Sequence, residues 1–419
     1  MLDMILNFIK EQKPEIIVQS PSRINLINPL DAVEGDFWMP SVAIYGLKNP
    51  LSVFLFIKSR KSDSVIKFFS IKKKNNFFEI QLEKEELISK DIIEVKNELN
   101  DDFKLFYGSI YRFYKTCNTF WERFVRMNFE VGILTTIPRQ SGLGGSASMI
   151  IAILYGFANY FRLYNDLSCI SKGEFPINKD IIAEMATKVE DDDLKITAGY
   201  GDRYVITKGG LLFCSYFGKL FHKQLSMEPL AICERIDKSY NIKNLPIIIC
   251  YSGILHESGN VHEKLRKLYL SKDPRILKGY EKLAEISWKS RFCLMRHNWK
   301  QLGTLFRENT KIMNDIMKYA GFQYGIGLGN NILINLIEDH PDVYAVKLTG
   351  AGGGGSVFAL VRPNKTNMVL KYWQKKLFDI TKNDKLFLSL LPNYPVNIRE
   401  SLVNAQFFKI KIADGVKII

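Results

Sequence analysis

The residues best able to do chemistry begin with Ser141-Gly142-Leu143-Gly144-Gly145-Ser146-Ala147-Ser148, three glycines and three serines directly ahead of an apolar run. Glycines let the backbone approach an anion closely and turn its N–H groups inward. The start of a following helix adds unpaired donors and the favourable end of a dipole. The hydroxyls of Ser141, Ser146 and Ser148 can bind phosphate oxygen or a magnesium ion. No lysine follows the last glycine, as it would in a Walker A loop, so neutralising charge must come from elsewhere. Taken alone, the stretch fits the plainer alternative better, a glycine–serine turn capping an ordinary helix.

Three other segments carry polar groups in suggestive order. In Pro21 to Asp31, a strand end bearing Arg23 runs into a polar turn bearing Asn28 and Asp31. It can present a cation and a carboxylate to one small polar ligand, and a carboxylate suits sugar hydroxyls. In Val189 to Arg203, four consecutive acids, Glu190 to Asp193, close a helix at the wrong end for its dipole, which implies a nearby cation. Asp202, between Gly201 and Arg203, is the better catalytic candidate there. An adjacent arginine keeps a carboxylate ionised and in place to accept or orient a hydroxyl proton. In Thr349 to Ser356 a four-glycine run, Gly352 to Gly355, implies close backbone approach to a partner segment or a ligand.

These segments need elements to hold them. Apolar runs predict strands at Ile16 to Leu26, Ser41 to Ile44, Leu51 to Ile57 and Val131 to Thr136, with a hairpin over Ile66 to Ile80. Helices are expected over Asp101 to Phe120, Ser148 to Phe161 and Ile181 to Asp191, followed by a strand at Gly210 to Tyr216. A second region opens with a strand at Ile247 to Tyr251. Its helices are expected at Val261 to Tyr269, Pro274 to Met295, Trp299 to Met317 and Asn331 to Glu338. Strands Val343 to Leu348 and Val357 to Val361 then flank the second glycine run. His262 and Arg266 sit four apart on one of these helices, where a surface pair is the plainer reading. Arg139 reads equally well as an exposed arginine or as a group near an anionic substrate.

Composition narrows the function classes. At 419 residues, 47% hydrophobic and 24% charged, the chain fits a soluble two-domain protein. The net charge of +14 comes from lysines spread among acids, so no nucleic-acid surface is expected. No apolar run is long enough to span a membrane, and the first ten residues read as an amphipathic helix rather than a signal peptide. Six scattered cysteines suggest neither a zinc site nor a disulfide framework, and a cytoplasmic location fits.

Together, the motifs resemble those of the GHMP kinases, the group that includes galactokinase, homoserine kinase and mevalonate kinase. Pro21 to Asp36 resembles the first motif, Ile137 to Ser148 the phosphate loop and Lys347 to Ser356 the third, in the family's order. Within the family, Ile137-Pro138-Arg139-Gln140, Ile196 to Val205 and Ser258 to Arg266 are similar to the glucuronokinase branch. The four-glycine run and the ending Phe407 to Ile419 look more like the heptose 7-phosphate 1-kinases.

The resemblance implies an α+β two-domain fold. A ribosomal protein S5 domain 2-like unit would cover 1–225, a ferredoxin-like unit 226–419, and the site would lie between them. It implies an ATP-dependent kinase acting on the anomeric hydroxyl of a sugar or uronic acid, D-glucuronate first, with a heptose 7-phosphate or other sugar as the alternative. A silent sugar and ATP sensor is the reading from another class. ATP would lie on Pro138, Gly142, Leu143, Gly144, Gly145, Ser146, Ala147 and Ser148, with Mg2+ held by Ser146 and by Glu190 or Asp191. Asp202 and Arg23 would be catalytic. Asn28, Asp31, Arg203, Gly352 and Gly353 would meet the substrate of a monomer or homodimer.

Overall fold

The computed structural model describes residues 1–27, 38–74, 77–216, 225, 230–255 and 258–419. Thirteen strands appear there: β1 (Ile16–Asn25), β2 (Trp38–Gly46), β3 (Ser52–Ser59), β4 (Val65–Lys74), β5 (Phe77–Leu87), β6 (Phe129–Thr135), β7 (Leu211–Ser215), β8 (Ile232–Arg235), β9 (Ile247–Tyr251), β10 (Val343–Thr349), β11 (Ser356–Val361), β12 (Gln406–Ile412) and β13 (Lys417–Ile418). The main path runs β10-β11-β9-β12-β2-β1-β3-β6-β4-β5, with β7 on β2, β8 on β7 and β13 on β1. Among the described strands only β4 and β6 pair in parallel. The fold is α+β, as expected.

The halves are joined through β12, which pairs with β9 on one side and β2 on the other. On the first half, the helix Gly145–Tyr160 is apolar all round and almost wholly buried, as a helix pressed between a sheet and other helices must be. It lies against β1 and β3, so the strand carrying Arg23 and the helix leaving the glycine loop share one core. On the second half, a separate core forms between the far face of β9–β11 and the helices Pro274–Met295, Trp299–Tyr319 and Thr366–Lys382. The expected division near residue 225 falls beside 217–224 and 226–229, which lie outside the described residues.

Three expectations need correction. The helix expected over Asp101 to Phe120 is two, Lys104–Thr116 and Asn118–Arg126, with Cys117 extended between them. Glu174 takes hydrogen bonds from the Thr119 amide and the Cys117 thiol at this break, and the amide is one a continuous helix would have used internally. The region after Val361, given no elements from sequence, folds into three helices before β12. Finally, the cysteines are not all unpaired. Antiparallel pairing of β7 with β8 sets Cys214 opposite Cys233, and the two form a disulfide. The other four are free and buried.

Candidate active site

β6 delivers the chain to the glycine loop, and the loop is bound to β1 by its backbone. The Leu143 carbonyl accepts from the Ser22 hydroxyl at 2.7 Å and the Arg23 amide at 3.2 Å. Gly144 is the N-cap of the helix Gly145–Tyr160 and has φ +79°, the left-handed region where a side chain is strained. A β-carbon there would also meet Arg23 Cγ at 3.1 Å, so the arginine stem runs directly over this glycine. The amides of Gly145, Ser146 and Ala147 open the helix without intrahelical acceptors. The hydroxyl of Ser141 and Nε of Arg23 are buried and without a hydrogen-bond partner among the described residues. Such orphaned donors suit an anion seated on the loop.

Arg23 is 5% exposed and links the loop to Asp202. Its Nη1 donates to the Gly142 carbonyl at 2.5 Å, and its Nη2 forms an ion pair with Asp202. Asp202 is the second residue of the short helix Gly201–Lys208. Its other oxygen accepts from Asn25 Nδ2 at 3.1 Å, and Ser41 fixes that amide by donating to Asn25 Oδ1 at 2.7 Å. Burial pushes the Asp202 carboxyl up. The charge and hydrogen bond of Arg23, the Asn25 amide and the charge of His262 outweigh it and hold it below the usual aspartate range. Asp202 is therefore an ionised, largely buried acceptor, with its two oxygens separately oriented.

The four acids fall into three settings. The helix Lys179–Lys188 ends in a single wide turn of π type, Val189–Asp193. Glu190 accepts from Ser146 Oγ at 2.5 Å and pairs with Arg203. Asp191 pairs with Arg266 at 2.9 Å and accepts from the Ala198 amide at 2.8 Å. Asp192 and Asp193 both hold Arg112, at 2.6 Å each, and Lys115 is 3.1 Å from Asp193. The cations implied by acids at a helix C-terminus are thus three arginines and a lysine from other elements. Arg266 belongs to this network and is not half of a surface pair. Among the described residues no group of three or more histidine, cysteine or acidic side chains is arranged to hold a metal. The donors at the loop are one hydroxyl and one carboxylate, Ser146 and Glu190. That set fits a hard divalent cation that takes its other ligands from water and phosphate.

The third motif closes on this assembly. Ser356 Oγ donates to the Ser141 carbonyl at 2.7 Å, and Thr349 Oγ1 accepts from the Asn25 amide at 2.9 Å. Gly350, with φ +78°, lies so near that a β-carbon would meet the Gly142 carbonyl at 3.1 Å. Gly352 packs on Met317, and the Gly353 amide donates to the Ile326 carbonyl at 2.8 Å, so both face the C-terminal helices. Ser148 is fully buried and donates to Ser20 at 3.0 Å, tying helix to strand. Pro138 is half-buried and Arg139 exposed, its carbonyl 3.4 Å from the Tyr251 hydroxyl. Asn28 and Asp31 lie outside the described residues. Sequence reasoning missed Asn25 and Thr349 as partners of the site. The only signal for them was their nearness to Arg23 and to the second glycine run.

Known proteins fit this geometry. The model of the GHMP kinases N terminal domain matches residues 107–210, taking in the glycine loop, Glu190 and Asp202. The model of the GHMP kinases C terminal matches 329–379, taking in the third motif. The chain carries the N- and C-terminal domains of the GHMP kinases. Among curated relatives, the D-glycero-alpha-D-manno-heptose 7-phosphate kinase of Campylobacter jejuni is 25% identical over 68% of this chain and 75% of its own. The probable glucuronokinase 2 of Arabidopsis thaliana is 23% identical over 60% of this chain. The match spans 62% of the plant protein, under two thirds of its length. Among solved structures, the galactokinase of Lactococcus lactis superposes with a TM-score of 0.66 at 16% identity, covering 99% of both chains. The mevalonate kinase of Methanococcus jannaschii gives 0.57 at 17%, over 95% of this chain and 98% of its own. The two-domain GHMP kinase fold is therefore the fold of this chain. Among the described residues no helix is long and apolar enough to cross a membrane.

Proposed function

We propose that this GHMP kinase transfers the γ-phosphoryl group of ATP to the anomeric C1 hydroxyl of a sugar, with D-glucuronate the first candidate and a heptose 7-phosphate the second. One observation carries the reading: a single guanidinium, Arg23, joins the Gly142 carbonyl of the loop to the ionised Asp202. Acceptor and phosphate cradle are thereby held in one rigid unit, which is what transfer by positioning and electrostatics requires. The names of the relatives supply both candidate sugars, and the segments similar to the glucuronokinases put D-glucuronate first.

In this reading Gly142 to Ser148, with Pro138 before them, receive the phosphates on the first-turn amides and the Ser141 hydroxyl. Ser146 and Glu190 hold Mg2+, which when bound neutralises phosphate charge. Asp202 orients the sugar O1–H along the line of attack. The O1–phosphorus bond forms as the bond from the γ-phosphorus to its bridging oxygen breaks. The O1 proton passes to Asp202, and ADP departs with the bridging oxygen. Arg23 spreads the charge of the transferring group, and Asn28, Asp31 and Arg203 hold sugar hydroxyls. Gly352 and Gly353 contribute by closing the third motif over the substrate. The cleft lies between an N-terminal unit, 1–225, and a C-terminal unit, 226–419.

The test is a panel of free sugars, uronic acids and sugar phosphates with ATP and Mg2+, the product read by phosphorus NMR for an anomeric phosphate. Asp202→Asn is expected to keep ATP binding and lower turnover by roughly three orders of magnitude. Wild-type turnover in that variant, or a product phosphorylated away from C1, would refute the reading.

A further inference from the structure

Tyr204 lies two residues after Asp202 on the helix Gly201–Lys208 and is fully buried. Its phenol joins three other parts of the chain. The hydroxyl donates at 2.6 Å to Glu184, on the helix Lys179–Lys188 that runs into Glu190. The same oxygen accepts from the Ala231 amide at 3.1 Å, directly ahead of β8. The ring packs on Tyr216, just after β7, with centroids 6.0 Å apart. Tyr216 stacks in turn at 6.2 Å on Tyr200, the N-cap of the Asp202 helix. Burial and the Glu184 charge push the phenol up, so it stays neutral and keeps its proton for Glu184.

Both arms of this clamp meet at the disulfide. Tyr216 is two residues after Cys214, and Ala231 is two residues before Cys233. β8 has four residues and, among the described strands, pairs with β7 alone, so the covalent bond holds what a short edge ladder would hold weakly. The pair is also where thiol chemistry can occur. The other four cysteines are free and buried, and burial pushes each of their thiols up, which makes them poor nucleophiles. Cys214 is wholly buried and Cys233 half-buried, so an entering thiolate meets Cys233 Sγ.

We propose that Tyr204 is a positioning residue for Asp202 and Glu190, and that thiol–disulfide exchange at Cys214–Cys233 switches turnover by holding or releasing its contacts with Tyr216 and Ala231. The turnover part rests on the sugar-kinase reading; the coupling of the disulfide to the Asp202 helix does not. The step is an exchange with a dithiol. One thiolate of the dithiol bonds to Cys233 Sγ as the bond to Cys214 breaks, and Cys214 leaves as a thiolate that takes up a proton. The second thiolate of the reagent then attacks its own sulfur in the mixed disulfide, releasing a cyclic disulfide and Cys233 as a thiol. Two electrons and two protons pass to the protein, and a small disulfide reverses the exchange.

The test is hydrogen–deuterium exchange over 201–208, read by mass spectrometry with and without dithiothreitol, beside kcat and ATP KM in the same two states. Reduction is expected to speed exchange there and to lower kcat, each roughly tenfold, the size set by one hydrogen bond, at unchanged ATP KM. Oxidised glutathione should restore both. Cys214→Ser with Cys233→Ser should show the reduced values without reductant. Tyr204→Phe, which keeps the ring and loses the hydroxyl, should have the low kcat in both states. Circular dichroism checks that each form is folded, and the wild type alone supplies both redox states if a variant is not. Exchange over 201–208 or kcat that is the same in both states, a full redox response in Tyr204→Phe, or Cys214 and Cys233 that still alkylate after oxidised glutathione overturns the inference. A protein that phosphorylates no sugar in either state, but whose exchange over 201–208 follows the disulfide, would refute the kinase reading and leave the coupling standing.

Discussion

Replacing Arg23 by methionine tests the central link of the site through stability as well as activity. The wild-type pair is buried, with side chains 6% and 17% exposed, and among the described residues Asp202 keeps the Asn25 hydrogen bond and a longer pairing with Arg203 at 3.9 Å once Arg23 is gone. Removing one partner of a buried pair strands the other. At this burial the expected cost is about 3 kcal/mol at pH 7.5. The sign of the pH dependence follows from Asp202. In the wild type its folded carboxyl is depressed, so its contribution is present above the unfolded value and is lost as pH falls through the folded one. In Arg23→Met, burial is no longer outweighed by the arginine, and the folded carboxyl rises instead. The variant is then penalised at neutral pH and relieved on acidification. Urea unfolding followed by circular dichroism at pH 7.5 and pH 5 should show a stability gap that narrows in acid. Adding Asp202→Asn to Arg23→Met should recover much of the loss, since the stranded charge is gone. A gap of equal size at both pH values, together with additive losses in the double variant, would refute the argument that Arg23 acts on stability through the Asp202 charge.

Other outcomes follow from individual contacts. Glu190→Gln, which leaves Ser146 facing a neutral amide, should raise the Mg2+ concentration for half-maximal activity roughly tenfold. Asp191→Asn should instead lower the unfolding midpoint by breaking the Arg266 pair; the reverse pattern in a magnesium titration would assign the metal to Asp191. Gly350→Ala forces a side chain into a left-handed conformation at about 1–2 kcal/mol and brings its β-carbon to 3.1 Å from the Gly142 carbonyl. ATP KM should rise while the chain stays folded. Dithiothreitol should destabilise the protein by about 3 kcal/mol by opening the Cys214–Cys233 loop of sequence separation 19, and Cys214→Ser with Cys233→Ser should abolish that sensitivity.

What could be read from the sequence was what depends on local pattern. The continuous apolar runs of β9, Ile247–Tyr251, and the helix Pro274–Met295, with Asp273 capping it, matched their expected bounds because each is set by its own residues. The glycine loop was legible because Gly142 and Gly144 need positive φ whatever surrounds them. What was not legible is what one segment does for another once the chain has folded. Asn25 is an ordinary strand residue until Ser41, Thr349 and Asp202 converge on it. Cys214 and Cys233 meet only because β7 and β8 pair in one register. Lys347, at 0% exposure, lies among the rings of Phe306 and Phe358, a burial no charge pattern would suggest.

The run Glu190 to Asp193 shows how spacing alone misleads. Along a regular helix, consecutive residues step about 100° around the axis, and four adjacent acids would splay toward solvent and a single neighbour. Here the wide turn Val189–Asp193 interrupts that rotation, and each acid meets a cation from elsewhere in the chain. Counting residues back from Asp202 could not separate Glu190 from Asp191. Both are paired with an arginine, Asp191 with Arg266 and Glu190 with Arg203, but Glu190 also reaches the loop hydroxyl, which is the ground for proposing it as the magnesium ligand. The same partners bear on the lysine missing from the loop. In the proposed reading, the positive charge that a Walker A lysine would carry into the phosphates comes from Arg23, which enters over Gly144 from β1, a strand more than 100 residues earlier. Charge delivered from a strand core is less mobile than charge on a loop side chain. The loop can therefore remain short and neutral, with its alignment set by the sheet.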